Sequence, residues 1–306
     1  MSVRTGKGSE NVETKTYQQV FEGVYGYHKP YNHMTADLKD RVALITGASG
    51  MIGGATAELM AASGAKIAIW DINDEAGAER VAEIEAKGGE AKYYHVNLGD
   101  RESIKTAFEQ FIQDFGRIDI LFGNGGSNWG NRKPVTEFDD EKFPININVN
   151  LHGGTYMLAK LAIPYMIKQG GGSIMFTSSV CGVTGLRKQC GFVASKFAIS
   201  ALTRSMALEY GKYGIRVNTL APGSLPGPFL PFTNEGLWAD VTVGEHYDEN
   251  FENPQSILYD IAARRPAYPT DMAGLMLYLA SDDASYTTGQ VICVDGGWTA
   301  GLSGDY

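Results

Sequence analysis

The chain has 306 residues, enough for one large α/β domain with a substantial core. It is 43% hydrophobic and 20% charged, with a formal net charge of −9 and a pI near 5.1, which argues against a nucleic-acid surface or a strongly anionic macromolecular partner. No apolar run is long enough to span a bilayer, the first eleven residues carry no signal-peptide core, and Cys181, Cys190 and Cys293 show no metal-ligand spacing, so the expectation is a cytoplasmic protein with ordinary thiols, no metal and no membrane partner.

Residues 1–37 read as an N-terminal extension. Its start is polar, and Tyr17, Phe21, Tyr25, Tyr27 and Tyr31 then follow within fifteen residues. These rings pack either on the domain's own surface or over a neighbouring subunit or the mouth of a site. From Lys39 onward, apolar runs at 41–46, 66–71, 91–97, 118–124, 172–178, 215–221 and 290–295 alternate with helical stretches at 55–63, 75–87, 101–115, 192–213 and 270–280. Short apolar strands separated by helices predict a seven-stranded parallel sheet covered on both faces, a single doubly wound α/β domain over 38–306. Ligands of such sheets sit at the carboxyl ends of the strands. The segment from Pro222 to Tyr268 breaks this rhythm with six prolines and aromatics including Trp238. Long irregular connections of this kind are usually functional or disordered, and the aromatics favour a substrate lid near 224–260.

The first βα connection carries the strongest local signal. The apolar run ending at Thr46 is followed by Gly47, Ser49, Gly50, Met51, Ile52 and Gly53, and then by a helical stretch. Glycines here allow a tight turn and close backbone approach to a pyrophosphate, while the helix N-terminus supplies amide donors and positive potential. Asp71 ends the second strand, 24 residues after Gly47, where a carboxylate accepts hydrogen bonds from ribose hydroxyls and repels a 2′-phosphate. No Lys or Arg lies in the turn or just after Asp71, so NAD is the expected cofactor rather than NADP.

A second constellation lies further along. Ser179 closes the run Ser173–Ser179, Phe192 follows thirteen residues later, Lys196 lies one helical turn beyond it, and Asn150 precedes them in Val149-Asn150-Leu151. These residues, with Val294-Asp295-Gly296-Gly297 near the end, resemble the active site and C-terminal signature of the short-chain dehydrogenase/reductase family over residues 38–300. The glycine spacing itself is similar to that of the family's extended branch, but the remaining motifs resemble the short, single-domain branch with its Rossmann fold.

The resemblance implies hydride transfer between a nicotinamide and a secondary alcohol or ketone. It implies a substrate oxygen held by Ser179, a nicotinamide ribose held by Lys196, and a water in a proton relay held by Asn150. In the family the position of Phe192 belongs to a tyrosine that carries the proton. Phenylalanine cannot, so either this chain is an engineered Tyr-to-Phe form with suppressed turnover or it is a natural NAD-binding pseudoenzyme; a third possibility is that Phe192 is simply a core residue. Further cofactor contacts implied are Asn97 and Leu98 at the adenine, Asn124, Gly125 and Gly126 near the nicotinamide ribose, and Pro222, Gly223 and Leu225 beside the nicotinamide. Trp129, Arg187, Cys190 and Trp238 are expected to face a small hydroxylated substrate, such as a sugar, polyol or sugar acid. Arg187 either pairs with a substrate carboxylate or is a solvated surface cation. Family members commonly pair through the lysine-bearing helix and the last strand, and the expected assembly is a homotetramer.

Overall fold

Seven short segments rich in β-branched and aromatic side chains form the central sheet of the computed structural model, which describes residues 36–129, 133–225, 261–263 and 267–301 and two short strands near the N-terminus. Those two, β1 (Ser2–Arg4) and β2 (Thr14–Thr16), pair antiparallel within the compact unit Met1–Thr35. The second unit, Ala36–Tyr306, holds β3 (Val42–Thr46), β4 (Lys66–Asp71), β5 (Glu90–His95), β6 (Ile120–Gly123), β7 (Gly172–Thr177), β8 (Ile215–Pro222) and β9 (Val291–Val294). The order is β5-β4-β3-β6-β7-β8-β9, with every pairing parallel. The winding reverses between β3 and β6. At that switch point the connections leaving the two strands diverge and open a crevice at their carboxyl ends.

The helices are α1 (Met51–Ala62), α2 (Asp74–Ala86), α3 (Arg101–Phe115), α4 (Lys142–Asn146), α5 (Leu158–Gln169), α6 (Cys190–Tyr210) and α7 (Pro269–Ala280). They cover both faces, as the apolar runs require. One core packs Trp70, Tyr94, Phe108, Phe111 and Phe176 beneath α3, α5 and α6. The other packs Ile45, Ile69, Phe122 and Met175 beneath α1 and α7. Among the described residues no helix is long and apolar enough to cross a membrane.

Two departures from the sequence reading matter for the site. Helix α1 starts at Met51, four residues before the expected 55, directly on the glycine turn and with no side chain capping its first amides. The second departure is an unpredicted helical run, α4 continuing through a π-helical stretch, Ile147–Met157, into α5. Pro144, Gly153, Gly154 and Pro164 are poor helix formers, and tertiary packing overrides them. Asn150 lies in the π-helical stretch, a form frequent at functional sites.

Phe111 is fully buried, with Tyr94, Phe108 and Phe115 rings 5.4–6.4 Å away. Phe111→Ala is expected to lower unfolding stability by about 3–5 kcal/mol, measured by denaturant titration. A loss below about 1 kcal/mol would show that this core repacks readily.

Candidate functional site

The crevice is shaped by a contact between β3 and β6 too close for side chains. Gly47 has φ +64°, and a Cβ there would lie 2.8 Å from Gly125 Cα. A Cβ on Gly53 would collide with the Gly47 carbonyl oxygen and lie 2.8 Å from Asn124 Nδ2. Asn124 locks the arrangement. Its Nδ2 donates to the carbonyls of Thr46 (3.2 Å) and Gly47 (3.3 Å), and its Oδ1 accepts from Thr177 Oγ1 (3.0 Å). Thr46 Oγ1 in turn accepts from the Gly125 amide at 2.8 Å. Thr46 and Thr177 are structural members of the site that the motif reading left out, because their role is to hold backbone rather than ligand.

One arm of the crevice is a cavity of about 570 Å³ lined by Gly47, Ser49, Asp71, Asn97, Leu98 and Trp129, among others. Asp71 is half-buried and oriented by backbone amides: Oδ2 accepts from Ser49 (3.2 Å), and Oδ1 accepts from Ile72 (2.8 Å) and Asn73 (3.2 Å). Among the described residues lining this arm there is no Lys or Arg. Asn97 uses its side-chain oxygen on the Gly99 amide at 2.8 Å.

The other arm, about 470 Å³, gathers Met51, Ile52, Ser179, Phe192, Lys196, Pro222, Gly223 and Leu225. Asn124, Gly126 and Ser127 line both arms and join them. Ser179 caps the short 3-10 turn Val180–Gly182, its Oγ accepting from the Cys181 amide at 3.1 Å. Phe192 and Lys196 lie one turn apart on α6, with Nζ 5.5 Å from the ring centroid. Nζ donates to the Thr177 carbonyl at 2.8 Å. Lys196 is 5% exposed, and burial pushes its ammonium from the ordinary 10.5 down to about 8. Burial likewise pushes the neighbouring Cys181 thiol up, against the opposing effects of Ser179 and Lys196.

Asn150 stands behind this pair. Its Nδ2 donates to the Ser127 carbonyl (2.8 Å) and Ser195 Oγ (3.0 Å), and its Oδ1 accepts from the Ser127 amide (2.7 Å). Ser195 Oγ donates to the Phe192 carbonyl at 2.7 Å, so one amide couples the loop after β6 to the helix bearing Phe192 and Lys196. Ser127 and Ser195 were missed by the sequence reading. A serine following a glycine pair and a serine within a helix carry no distinctive spacing.

Three expected substrate residues lie elsewhere. Trp129 lines the Asp71 arm instead of the Ser179 arm, because both polar atoms of its backbone bond the Asn146 side chain. Arg187 is exposed and Cys190 is the half-buried first residue of α6; neither lines the Ser179 arm. Trp238, and the expected lid apart from 224–225, lie outside the described residues.

The residues present fit a dinucleotide. The turn leaves room that only a missing Cβ provides, α1 presents uncapped amides, and the buried Oγ of Ser127, a residue lining both arms, has no partner among the described residues. Comparison with known proteins agrees. A family profile described as Enoyl-(Acyl carrier protein) reductase matches residues 47–299. A 2,5-dichloro-2,5-cyclohexadiene-1,4-diol dehydrogenase of Sphingobium indicum is 36% identical over 266 residues, 87% of this chain and 99% of that protein. A cyclohexanol dehydrogenase of an Acinetobacter species is 34% identical over 268 residues, covering 87% and 98% of the two chains. The crystal structure of levodione reductase matches with a TM-score of 0.76 and 30% identity, over 87% of this chain and all of that one. The chain belongs to the short-chain dehydrogenase/reductase family, whose oxidoreductases use nicotinamide cofactors.

The buried ammonium sets a pH signature. Lys196 titrates near 8 when folded and at 10.5 when unfolded, so between those values the unfolded chain binds more protons and stability rises with pH. The parent protein is expected to gain roughly 3 kcal/mol more between pH 8 and 10.5 than Lys196→Met does, read from denaturant midpoints. Parallel profiles would refute a desolvated, charged Lys196.

Proposed function

We propose that this protein is an NAD-dependent dehydrogenase or reductase of secondary alcohols and ketones whose turnover is suppressed by Phe192. The carrying observation is the shared cavity of Ser179, Phe192 and Lys196, with an apolar ring one helical turn before the buried ammonium. In this reading the glycine turn and the first amides of α1 hold the pyrophosphate, and Asp71 holds the adenosine ribose hydroxyls. Lys196 holds the nicotinamide ribose, and Pro222, Gly223 and Leu225 flank the ring. The nicotinamide, when bound, exchanges a hydride with the substrate carbon. Ser179 Oγ holds the substrate oxygen. Asn150 acts as a positioning residue through Ser127 and Ser195.

What this chain lacks is a group to move the hydroxyl proton. A phenol at 192 would stand beside the Lys196 cation, which favours its ionised form. The phenyl ring has no titratable atom. The retained Ser179, Asn150 and Lys196 support an inactivated enzyme over a binding-only protein. The substrate class is a small hydroxylated compound, a sugar, polyol or sugar acid, and relatives named for a cyclohexadienediol and cyclohexanol add ring alcohols to the compounds worth assaying.

Phe192→Tyr should raise NAD-dependent oxidation of at least one alcohol in such a panel by roughly 10²–10⁴-fold. The same protein should bind NAD at least tenfold tighter than NADP by calorimetry, since the Asp71 carboxylate repels a 2′-phosphate. No gain in rate would leave the NAD-binding pseudoenzyme reading in place, and equal affinities would overturn the cofactor assignment.

The proposed assembly is a homotetramer. Helix α6 buries Ile199 and Met206 yet exposes Phe197 and Leu208, the latter 86% exposed. Strand β9 is an edge whose outer side has no partner strand among the described residues. Light scattering should return about four times the 33.1 kDa chain mass, and a monomer would refute the assembly.

A further inference from the structure

Four buried side-chain polar atoms have no hydrogen-bond partner among the described residues: Trp70 Nε1, Arg80 Nε, Ser127 Oγ and Arg216 Nη1. Trp70 and Ser127 line the dinucleotide crevice, and Arg80 is paired with Glu58 and Glu83. Arg216 belongs to neither arrangement. Its guanidinium makes one hydrogen bond, from Nη2 to the Ser281 carbonyl at 3.0 Å, and no ion pair among the described residues. Burial holds its pKa below the ordinary value, with Asp282 opposing and Arg41 adding to the effect. A half-buried cation held by a single direct hydrogen bond, with one donor left orphaned, calls for an explanation.

Arg216 lines a cavity of about 240 Å³ at the amino ends of β3, β6, β7 and β8, the opposite end of the sheet from the crevice. Arg41 and Arg117 line it too, as do Asp119 and Asp282. Both carboxylates are already engaged. Asp119 accepts from Arg117 Nε (2.9 Å) and Nη2 (2.6 Å) and from the Val42 amide (2.9 Å). Asp282 accepts from Arg41 Nη2 at 3.1 Å through both oxygens. Among the described residues lining the cavity, three guanidiniums stand against two carboxylates, and Asp40 also acts on Arg117 from outside the lining. The amides of Gly170, Gly171 and Gly172, on the same cavity, all donate to carbonyls, so guanidinium groups are the donors on offer.

We propose that this cavity is a binding site for a small oxyanion of phosphate or sulfate size, held by the guanidinium groups of Arg216, Arg41 and Arg117. The volume falls below the roughly 300 Å³ at which sites for larger small molecules begin. Guanidinium is the side chain best matched to such oxygens, with several N–H groups in a fixed plane. Occupation would tie the feet of β3, β6 and β8 together and stabilise the folded state in proportion to anion concentration.

The test is a titration of inorganic phosphate, sulfate, acetate and chloride at constant ionic strength, with and without saturating NAD, followed by calorimetry and thermal unfolding. Running it both ways separates this site from any phosphate held at the glycine turn. Phosphate and sulfate should bind one per chain and raise the melting temperature with or without NAD, with acetate and chloride at least tenfold weaker. Arg216→Gln should weaken phosphate binding at least tenfold, and Arg204→Gln, on the exposed face of α6, should not. If Arg216→Gln does not fold, Arg41→Gln and Arg117→Gln should each weaken binding. Phosphate binding no tighter than chloride, or unchanged in the arginine variants, overturns the proposal.

Discussion

A methyl group added at Gly53 would strike the carbonyl oxygen of Gly47 and press within 2.8 Å of the Asn124 amide. The geometry of the crevice depends on that absent carbon. Because the turn between β3 and α1 can lie against the end of β6, Asn124 reaches back to two carbonyls of the turn and forward to Thr177 at the end of β7. Three strand ends are thereby fixed relative to one another at the switch point. The uncapped amides of α1 then face a space of defined width. A bulkier residue at Gly53 would lose the turn, the bridge and the cradle together.

The second constraint is electrostatic. Lys196 is buried, and its ammonium is held by the Thr177 carbonyl and by the face of Phe192. Desolvation makes this arrangement unfavourable in the protein alone, which is the usual sign of a charge kept for a partner. The ring at 192 compensates weakly, since the aromatic face attracts a cation by about 0.5–2 kcal/mol. It offers no oxygen to the cavity. Asn150, from the π-helical stretch, keeps α6 at the required distance from the loop after β6. The polar groups are thus arranged around one apolar ring.

The two ends of the sheet carry different chemistry. The carboxyl ends form the crevice, where strand connections diverge and backbone amides face outward. The amino ends gather Arg41, Arg117 and Arg216 around Asp119 and Asp282. Asp119 is 3% exposed and joins β3 to the segment before β6 through the Val42 amide. Parallel strands place all their amino ends on one side, so residues far apart in sequence meet there without any local motif.

The sequence by itself determined the order of the strands, their alternation with helices outside 142–169, and the first βα turn, because these follow from local rules: apolar runs at strand length, and glycines where a strand meets a helix. Ser179, Phe192 and Lys196 were legible for the same reason, the last two being one helical turn apart. The helical run through 142–169 was not legible, since its prolines and glycines disfavour a helix that only packing supports. Nor were Thr46, Ser127, Thr177 and Ser195, whose partners lie up to 79 residues away in the chain. Tertiary structure alone moved Trp129 to the Asp71 arm, left Arg187 and Cys190 off the Ser179 arm, and brought three arginines to one cavity. Side-chain hydrogen bonds across the sheet decide these placements, and they depend on distances in space that sequence spacing does not encode.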